Sequence, residues 1–405
     1  MLQARHRCLY AAFDRFPSRK GAAIHIDRFA RVLFDFFGGG LLYVLGSDDL
    51  PAQQFDDNVE IVRLSASIDN FLERTIAFGE RLELLLDETQ DSLRLVHFRD
   101  PWSGVPIVSR PHDYAVVYEV NALPSIELPY TYPSAAPSTL AKIEKLEQIA
   151  LDRADAIVTP SATICNRLVT RGVSPAKITV IQNGADLPDR VERPNDAPRD
   201  YLLYFGALQE WQGIETLLRA FARVRDLDLH LVICSSHDLR YAKGYVRMAE
   251  RLEIADRILW KASLTADELQ PWLQHAIASV APLSDCARNV VQGCSPLKIV
   301  ESMAAGVAVI ASDLPAVREL VTDRCEGLLV APDRPAELAR AIRILFEYPD
   351  LRRDLGSRGR DRVRQSLTWP HATKRLIDVY GVILSEAKDL AGEMLRYAQH
   401  DDSRR

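Results

Sequence analysis

The chain carries one short stretch in which a cation, a carboxylate and a helix start fall together: Ser295, Pro296, Leu297, Lys298, Ile299, Val300, Glu301, Ser302, Met303, Ala304, Ala305 and Gly306, followed by the apolar run 307–311. The pattern predicts a helix that starts at Ser295 as N-cap with Pro296 in the first helical position, and that ends at Gly306 before a buried strand. Free backbone N–H groups and the positive end of the helix dipole would then lie just ahead of Leu297, which suits a phosphate. Lys298 adds a point charge there. Glu301, one turn on, can accept hydrogen bonds from a diol such as a ribose. A nucleoside diphosphate is the ligand this combination fits.

Other residues offer chemistry at the ends of strand-like runs. Gly206 follows the apolar run Tyr201–Phe205 and precedes a helical pattern, the setting in which a backbone approaches a phosphate closely. Arg288 lies in the loop Ser284–Gly293, rich in small and polar residues, and reads either as a second phosphate contact or as a surface arginine. In the first half, Gly21 sits in a loop between strand and helix, and His25 follows one turn into that helix as either a site residue or a packed one. Arg99 ends the run Leu93–Phe98 and can meet a phosphate or an acceptor, or else pair with Asp100 or Asp113. Glu119 and Asn121 end the run Ala115–Val120, and Glu127 follows shortly after. An asparagine hydrogen-bonds a sugar hydroxyl but carries no proton near neutral pH. The paired aspartates Asp48, Asp49 and Asp56, Asp57 stand in polar loops and read as solvated, not as a metal site.

Taken in order, Lys20–Ala23, Ala154–Ser161, Ile181–Asp186, Tyr204–Leu208 and the stretch from Ser295 to Asp313, Leu314, Pro315 and Glu319 resemble the family 4 glycosyltransferases. The resemblance covers roughly residues 8 to 380. It implies the GT-B fold: two doubly wound α/β, Rossmann-like domains facing a central cleft, with a C-terminal helix crossing back to the first domain. It implies a retaining, metal-independent transfer of a sugar from a UDP- or GDP-type donor, as co-substrate and with no separate cofactor, to a glycan, lipid-linked or small-molecule acceptor. Donor binding is expected from Gly206, Arg288, Gly293, Cys294, Ser295, Pro296, Leu297, Lys298 and Glu301. The acceptor side is expected from Gly21, His25, Arg99, Glu119, Asn121 and Glu127, and the catalytic positions are Asn121, Lys298 and Glu301.

The chain departs from the family pattern at four of these places. Relatives follow the first glycine with an arginine and place a lysine before the second, where this chain has Ala207 and, before Gly213, Gln212. The first of two glutamates spaced eight apart is replaced by Gly293, so Gln292 or the N–H groups of Cys294 and Ser295 would take its sugar contact. Asn121 stands where relatives often carry histidine. These changes keep two alternatives open, a catalytically weak binding or scaffold subunit and a GT-B nucleotide-sugar epimerase.

The elements that must position these residues follow from periodicity. Strand-like runs at 8–13, 41–45, 93–98, 115–120, 156–159 and 178–181 alternate with helical patterns at 22–37, 68–87 and 138–151, the signature of a parallel sheet with ligand loops at the strand C-termini. A second series starts at Tyr201. The expected organisation is an acceptor-binding domain over 1–183, a Pro- and Asp-rich linker over 184–200, a donor-binding domain over 201–368, a crossover helix over 369–390 and a frayed tail over 391–405.

The composition belongs to a globular protein large enough for two cores: 405 residues with 26% charged side chains and a formal charge of -6, without the long basic stripe of a nucleic-acid binder. The arginines at 352, 353, 358, 360, 362 and 364 read as a solvated helix face, with a contact to membrane headgroups as the alternative. Six cysteines without a CxxC pair point to reduced thiols in the cytoplasm. No window has the length of a membrane span or the apolar core of a signal peptide, so the expected placement is cytoplasmic, with at most a peripheral contact at the inner face of the membrane. The sugar, the base, the acceptor and the oligomeric state are not written in the sequence.

Overall fold

The computed structural model describes residues 6–18, 21–47, 49–64, 67–236 and 238–402, with side chains up to 386. Lys20, Asp48 and residues 403–405 of the expected tail therefore lie outside the described residues. The chain forms two compact units, one of residues 1–159, 168–181 and 373–405, the other of residues 160–167 and 182–372.

The first unit is built on an eight-stranded sheet: β1 (Cys8–Arg15), β2 (Gly40–Leu45), β3 (Gln53–Asp56), β4 (Val59–Leu64), β5 (Leu95–Phe98), β6 (Ala115–Glu119), β7 (Ala156–Thr159) and β8 (Ile178–Val180). Their order is β3-β4-β2-β1-β5-β6-β7-β8. All neighbours run parallel except the hairpin β3/β4, which pairs Gln53 with Val62 and Asp56 with Val59. The central strands are largely apolar because helices cover both faces of a parallel sheet; β2 is buried along its whole length. The hairpin escaped the sequence reading, since β3 is exposed at every residue and has no apolar face to betray it. Asp56 and Asp57, read as a solvated loop pair, end that strand and form its turn, with Asp57 at φ 50°.

The second unit has six parallel strands: β9 (Tyr201–Gly206), β10 (His230–Ser235), β11 (Ile258–Ala262), β12 (Ala278–Ala281), β13 (Val309–Ser312) and β14 (Gly327–Val330). Their order, β11-β10-β9-β12-β13-β14, is the doubly wound 3-2-1-4-5-6 arrangement, and the parallel strands β4-β2-β1-β5-β6-β7 of the first sheet repeat it. In each sheet the chain reverses its direction of winding beside the first strand, between β1 and β5 and between β9 and β12. Ligand crevices open at the strand C-termini there.

Residues 184–200, expected as a linker, lie along the second unit. Ala185 N–H donates to Leu367 C=O at 2.9 Å, and Gln274 donates to the Asp189 carbonyl at 2.7 Å. Gly184 is required at this point, because a Cβ there would stand 2.4 Å from the Trp369 nitrogen. Segment 160–167, placed in the first domain by sequence, belongs to the second unit. The final helix, Trp369–Asp402, changes unit at Thr373 and continues helical through residues expected to fray.

Candidate functional site

In the second unit Gly206 ends β9 in the left-handed region, at φ 126°. A Cβ on it would approach the Lys298 Nζ to 3.3 Å, so the ammonium lies directly against this glycine. Lys298 belongs to the helix Leu297–Ala304 that follows β12, and its Nζ sits 4.3 Å above the centre of the Tyr204 ring. It donates to the Tyr204 hydroxyl at 3.3 Å and to Gln212 Oε1. Tyr204 in turn donates its own proton to the Ala207 carbonyl at 2.6 Å. The sequence expectation for this helix start needs one correction. Helical geometry begins at Leu297 and Pro296 is the N-cap, with ψ 102° and no side-chain cap. Pro296 has extended, non-helical backbone angles, so the helix starts one residue later. Ser295 instead offers its carbonyl to Asn183 Nδ2 at 3.0 Å, and its hydroxyl is buried without a hydrogen-bond partner.

Burial dominates the electrostatics here. It pulls the Lys298 ammonium down to about 7, with Arg288 adding like-charge repulsion while Cys294 and Glu301 oppose the shift. Burial also lifts the Glu301 carboxyl to about 7, helped by Asp186 and opposed by Lys298. Arg288 opens a single π-helical turn, Arg288–Gln292, and lies 4.9 Å over the Trp211 ring. The turn is held from beneath by the fully buried Asn289, which donates to the carbonyls of Trp211 and Ser284, both at 2.9 Å.

A side chain at 293 would be crowded. Gly293 is at φ 89°, and a Cβ there would sit 2.8 Å from the Thr163 methyl. Thr163 is fixed by Glu319, which accepts from the N–H groups of Ala162 (2.7 Å) and Thr163 (2.9 Å) and from the Thr163 hydroxyl (2.9 Å), capping the helix Ala162–Thr170. Gln292, named as a replacement for the sugar contact, is fully buried and so turned inward. The basic run also resolves. Arg353, Arg358 and Arg364 pair with Asp350, Asp354 and Asp361 on their own helix, Arg360 donates to the Ala304 and Pro188 carbonyls, and Arg362 meets Glu326.

In the first unit the sheet brings Arg99, Glu119, Asn121 and His25 into one polar group at the ends of β1, β5 and β6. Register pairs Tyr10 with His97 and His97 with Val117, two residues before Glu119, so these side chains share a face. Glu119, 1% exposed, accepts from Tyr10 Oη and Arg99 Nε, both at 2.7 Å, and from Asn121 Nδ2. His25 Nδ1 and His97 Nε2 stand 3.0 and 3.2 Å from its oxygens. Burial alone would raise this carboxyl, but Arg99 and the histidines outweigh it and hold Glu119 well below the usual range. Burial lowers His97 despite Glu119, so its ring is neutral near pH 7. The other His97 nitrogen is 2.7 Å from the Tyr380 hydroxyl of the final helix.

Arg99 forms neither of the ion pairs weighed for it, with Asp100 or Asp113. Besides Glu119 it reaches Asp14 at 3.4 Å and the Ala22 carbonyl at 3.3 Å, beside Gly21, while Asp100 caps the helix Pro101–Val108 through Ser103 N–H at 2.8 Å. Burial pushes Asp100 up to about 6 against those hydrogen bonds. Glu119 and His25, expected to touch an acceptor, are buried, so at this end of the sheet Asn121 is the half-buried member above them. Glu127 is on a separate element, in the first turn of the helix Pro124–Thr131. Tyr10, His97 and Tyr380 were missed. Each stands inside an apolar run, and only register reveals that they converge. Among the described residues no three His, Cys, Asp or Glu side chains gather to hold a metal ion, and no helix is long and apolar enough to cross a membrane.

Comparison with known proteins bears on both units. Residues 20–188 match the family described as Glycosyltransferase Family 4, and residues 199–348 match the one described as Glycosyl transferases group 1. The chain is 28% identical to a D-inositol 3-phosphate glycosyltransferase of Salinispora tropica over 71% of its length and 61% of that protein's. It is 28% identical to an alpha-maltose-1-phosphate synthase of Mycolicibacterium smegmatis over 58% of its length and 65% of that protein's. It therefore spans less than two thirds of these curated relatives. Among solved structures, sucrose-phosphate synthase from Thermosynechococcus elongatus superposes with a TM-score of 0.77 at 19% identity, covering 94% of this chain and all of that one. Anabaena HepE in complex with UDP-glucose gives 0.71 at 15% identity, covering 93% and 100%.

Proposed function

This chain is a relative of the family 4 glycosyltransferases with the GT-B fold, and from that premise we propose that it transfers a sugar, with retention, from a nucleoside diphosphate donor to an acceptor. The observation that carries the reading is the Lys298 ammonium lying against Gly206 at the end of β9, beside the N-terminus of the helix Leu297–Ala304. That is the crevice of a doubly wound sheet, and it presents a fixed cation, a backbone without a side chain and free N–H groups to one anion.

In this reading the bond from the sugar's anomeric carbon to phosphate oxygen breaks and the bond to an acceptor oxygen forms. The acceptor's proton leaves with the nucleoside diphosphate. Negative charge grows on the departing diphosphate, and Lys298, Arg288 and the N–H groups of Leu297 and Lys298 stabilise it where it develops. Glu301 takes the ribose. Asn121 positions the transferred sugar or the acceptor hydroxyl, its amide nitrogen donating to Glu119. The acceptor is a glycan, lipid-linked or small-molecule hydroxyl, and the cytoplasm, with a peripheral contact at the inner membrane face, is the setting proposed.

One observation favours a binding subunit instead: a side chain at 293, where the family pattern leads one to expect a glutamate, would begin 2.8 Å from the Thr163 methyl. Incubation of the purified protein with a panel of UDP- and GDP-sugars, with and without acceptor extracts, separates the two. Nucleotide release that rises with acceptor supports transfer. Binding of nucleotide without any release would establish the subunit reading.

A further inference from the structure

The two cations that the family pattern leads one to expect at 207 and 212 are missing, yet the space they would serve is not without charge. We propose that Gln212 is a positioning residue for donor binding, whose amide oxygen, together with the Tyr204 hydroxyl, holds the Lys298 ammonium over Gly206 so that one amine meets the nucleoside diphosphate. This rests on the donor-site reading above.

Three features carry it. First, both oxygens around Nζ are fixed as acceptors. Tyr204 donates its proton to the Ala207 carbonyl at 2.6 Å, which leaves a lone pair for Lys298, and Gln212 Oε1 accepts from the same nitrogen. Second, Gln212 is aimed by a turn with little freedom. It ends the 3₁₀ turn Glu210–Gln212, and the next residue, Gly213, sits at φ 71° with the Pro282 carbonyl so near that an added Cβ would be 1.7 Å from its oxygen. Third, an amide oxygen holds an ammonium without neutralising it. A glutamate in the same place would cancel the charge that the diphosphate needs.

The charged and titratable groups around Nζ are Arg288, Cys294, Glu301 and Tyr204. Burial and Arg288 set the amine to lose its proton near neutrality, and the Gln212 contact favours the protonated form. Nucleotide affinity of the parent protein accordingly falls as pH rises from about 7. Replacing Gln212 moves that fall, whereas a residue that merely fills space would leave it where it is.

The test measures UDP and GDP binding by calorimetry between pH 6 and 9 for the full chain and four variants. Gln212→Met, similar in length but without an acceptor, is expected to bind at least fivefold more weakly and to begin its decline at lower pH. Gln212→Glu should bind at least tenfold more weakly and decline at higher pH. Lys298→Ala should lose tenfold or more, and Lys298→Ala with Gln212→Lys should recover most of it, because the new ammonium starts from a turn already within hydrogen-bond reach of the old one. If Gln212→Met keeps both the affinity and the pH profile of the parent while Lys298→Ala weakens binding, the positioning role is wrong and the donor site stands. If Lys298→Ala itself changes nothing, the donor-site reading fails.

Discussion

Glu301 and Asn121 divide the proposed chemistry between two units, and each truncation has its own signature. Glu301→Ala should weaken free nucleotide and nucleotide sugar alike, by roughly 1.5 to 3 kcal/mol for a charge-assisted contact. Asn121→Ala removes a group offered only to the reacting sugar or its acceptor, so turnover should fall while free-nucleotide affinity stays nearly constant. Calorimetry and initial rates on both variants decide this, and equal loss of free nucleotide in both would overturn the division. Lys298 carries a second expectation, for stability. Its folded value of about 7 lies below the ordinary value of 10.5. Between those values the unfolded chain binds more protons, so stability rises with pH there. Lys298→Met removes the buried charge; it should melt higher than the parent at pH 7, and the gap should narrow towards pH 10. Differential scanning at pH 7, 8.5 and 10 checks the sign, and a widening gap would show that the amine is solvated.

At the scale of elements, Gly293 lies so tightly against the start of the helix Ala162–Thr170 that the carboxylate which the resemblance leads one to expect there has little room. Putting it back should not restore a site. Gly293→Glu must place a side chain at φ 89° and 2.8 Å from Thr163, combining backbone strain with overpacking. The expected loss is about 2 to 4 kcal/mol in urea unfolding, and Thr163→Gly in the same chain should return part of it. A variant as stable as the parent would mean that the helix start yields. Apolar runs made the parallel strands of both sheets legible except β4, because buried parallel strands announce themselves by composition. The hairpin β3/β4 was not legible: β3 is polar and exposed, and in β4, buried at Ile61, Val62 and Arg63, the charges of Glu60 and Arg63 interrupt the apolar run. Nor was the true start of the helix at Leu297, since Ser295 and Pro296 satisfy every local rule for a cap one residue early.

Across the whole molecule, what sequence conveyed about the site followed a physical divide. Gly206 at the end of β9, Lys298 in the first turn of the helix Leu297–Ala304 and Arg99 just beyond β5 lie on the elements that local rules assigned them. Partnerships set by register or by distant segments were out of reach. Tyr10, His97 and Tyr380 meet around Glu119 only once three strands and a helix from the far end of the chain are assembled, and Gln212 meets Lys298 across 86 residues. The charge ledger of the second unit gives a further expectation. In the proposed reaction Lys298, Arg288 and the N–H groups of the helix Leu297–Ala304 meet the growing diphosphate charge, so donor turnover should persist in excess EDTA. Abolished turnover that magnesium or manganese restores would show that the protein cations are insufficient.

The change of unit at Thr373 has a consequence for the order of events during synthesis. The first unit lacks Tyr380, the partner of the buried His97, until about 190 residues of the second unit have been made. At 5–20 residues per second that interval is about 10 to 40 s. A nascent chain paused before Thr373 therefore has an amino-terminal half in which His97 still lacks its Tyr380 partner, and the half translated first is the half completed last.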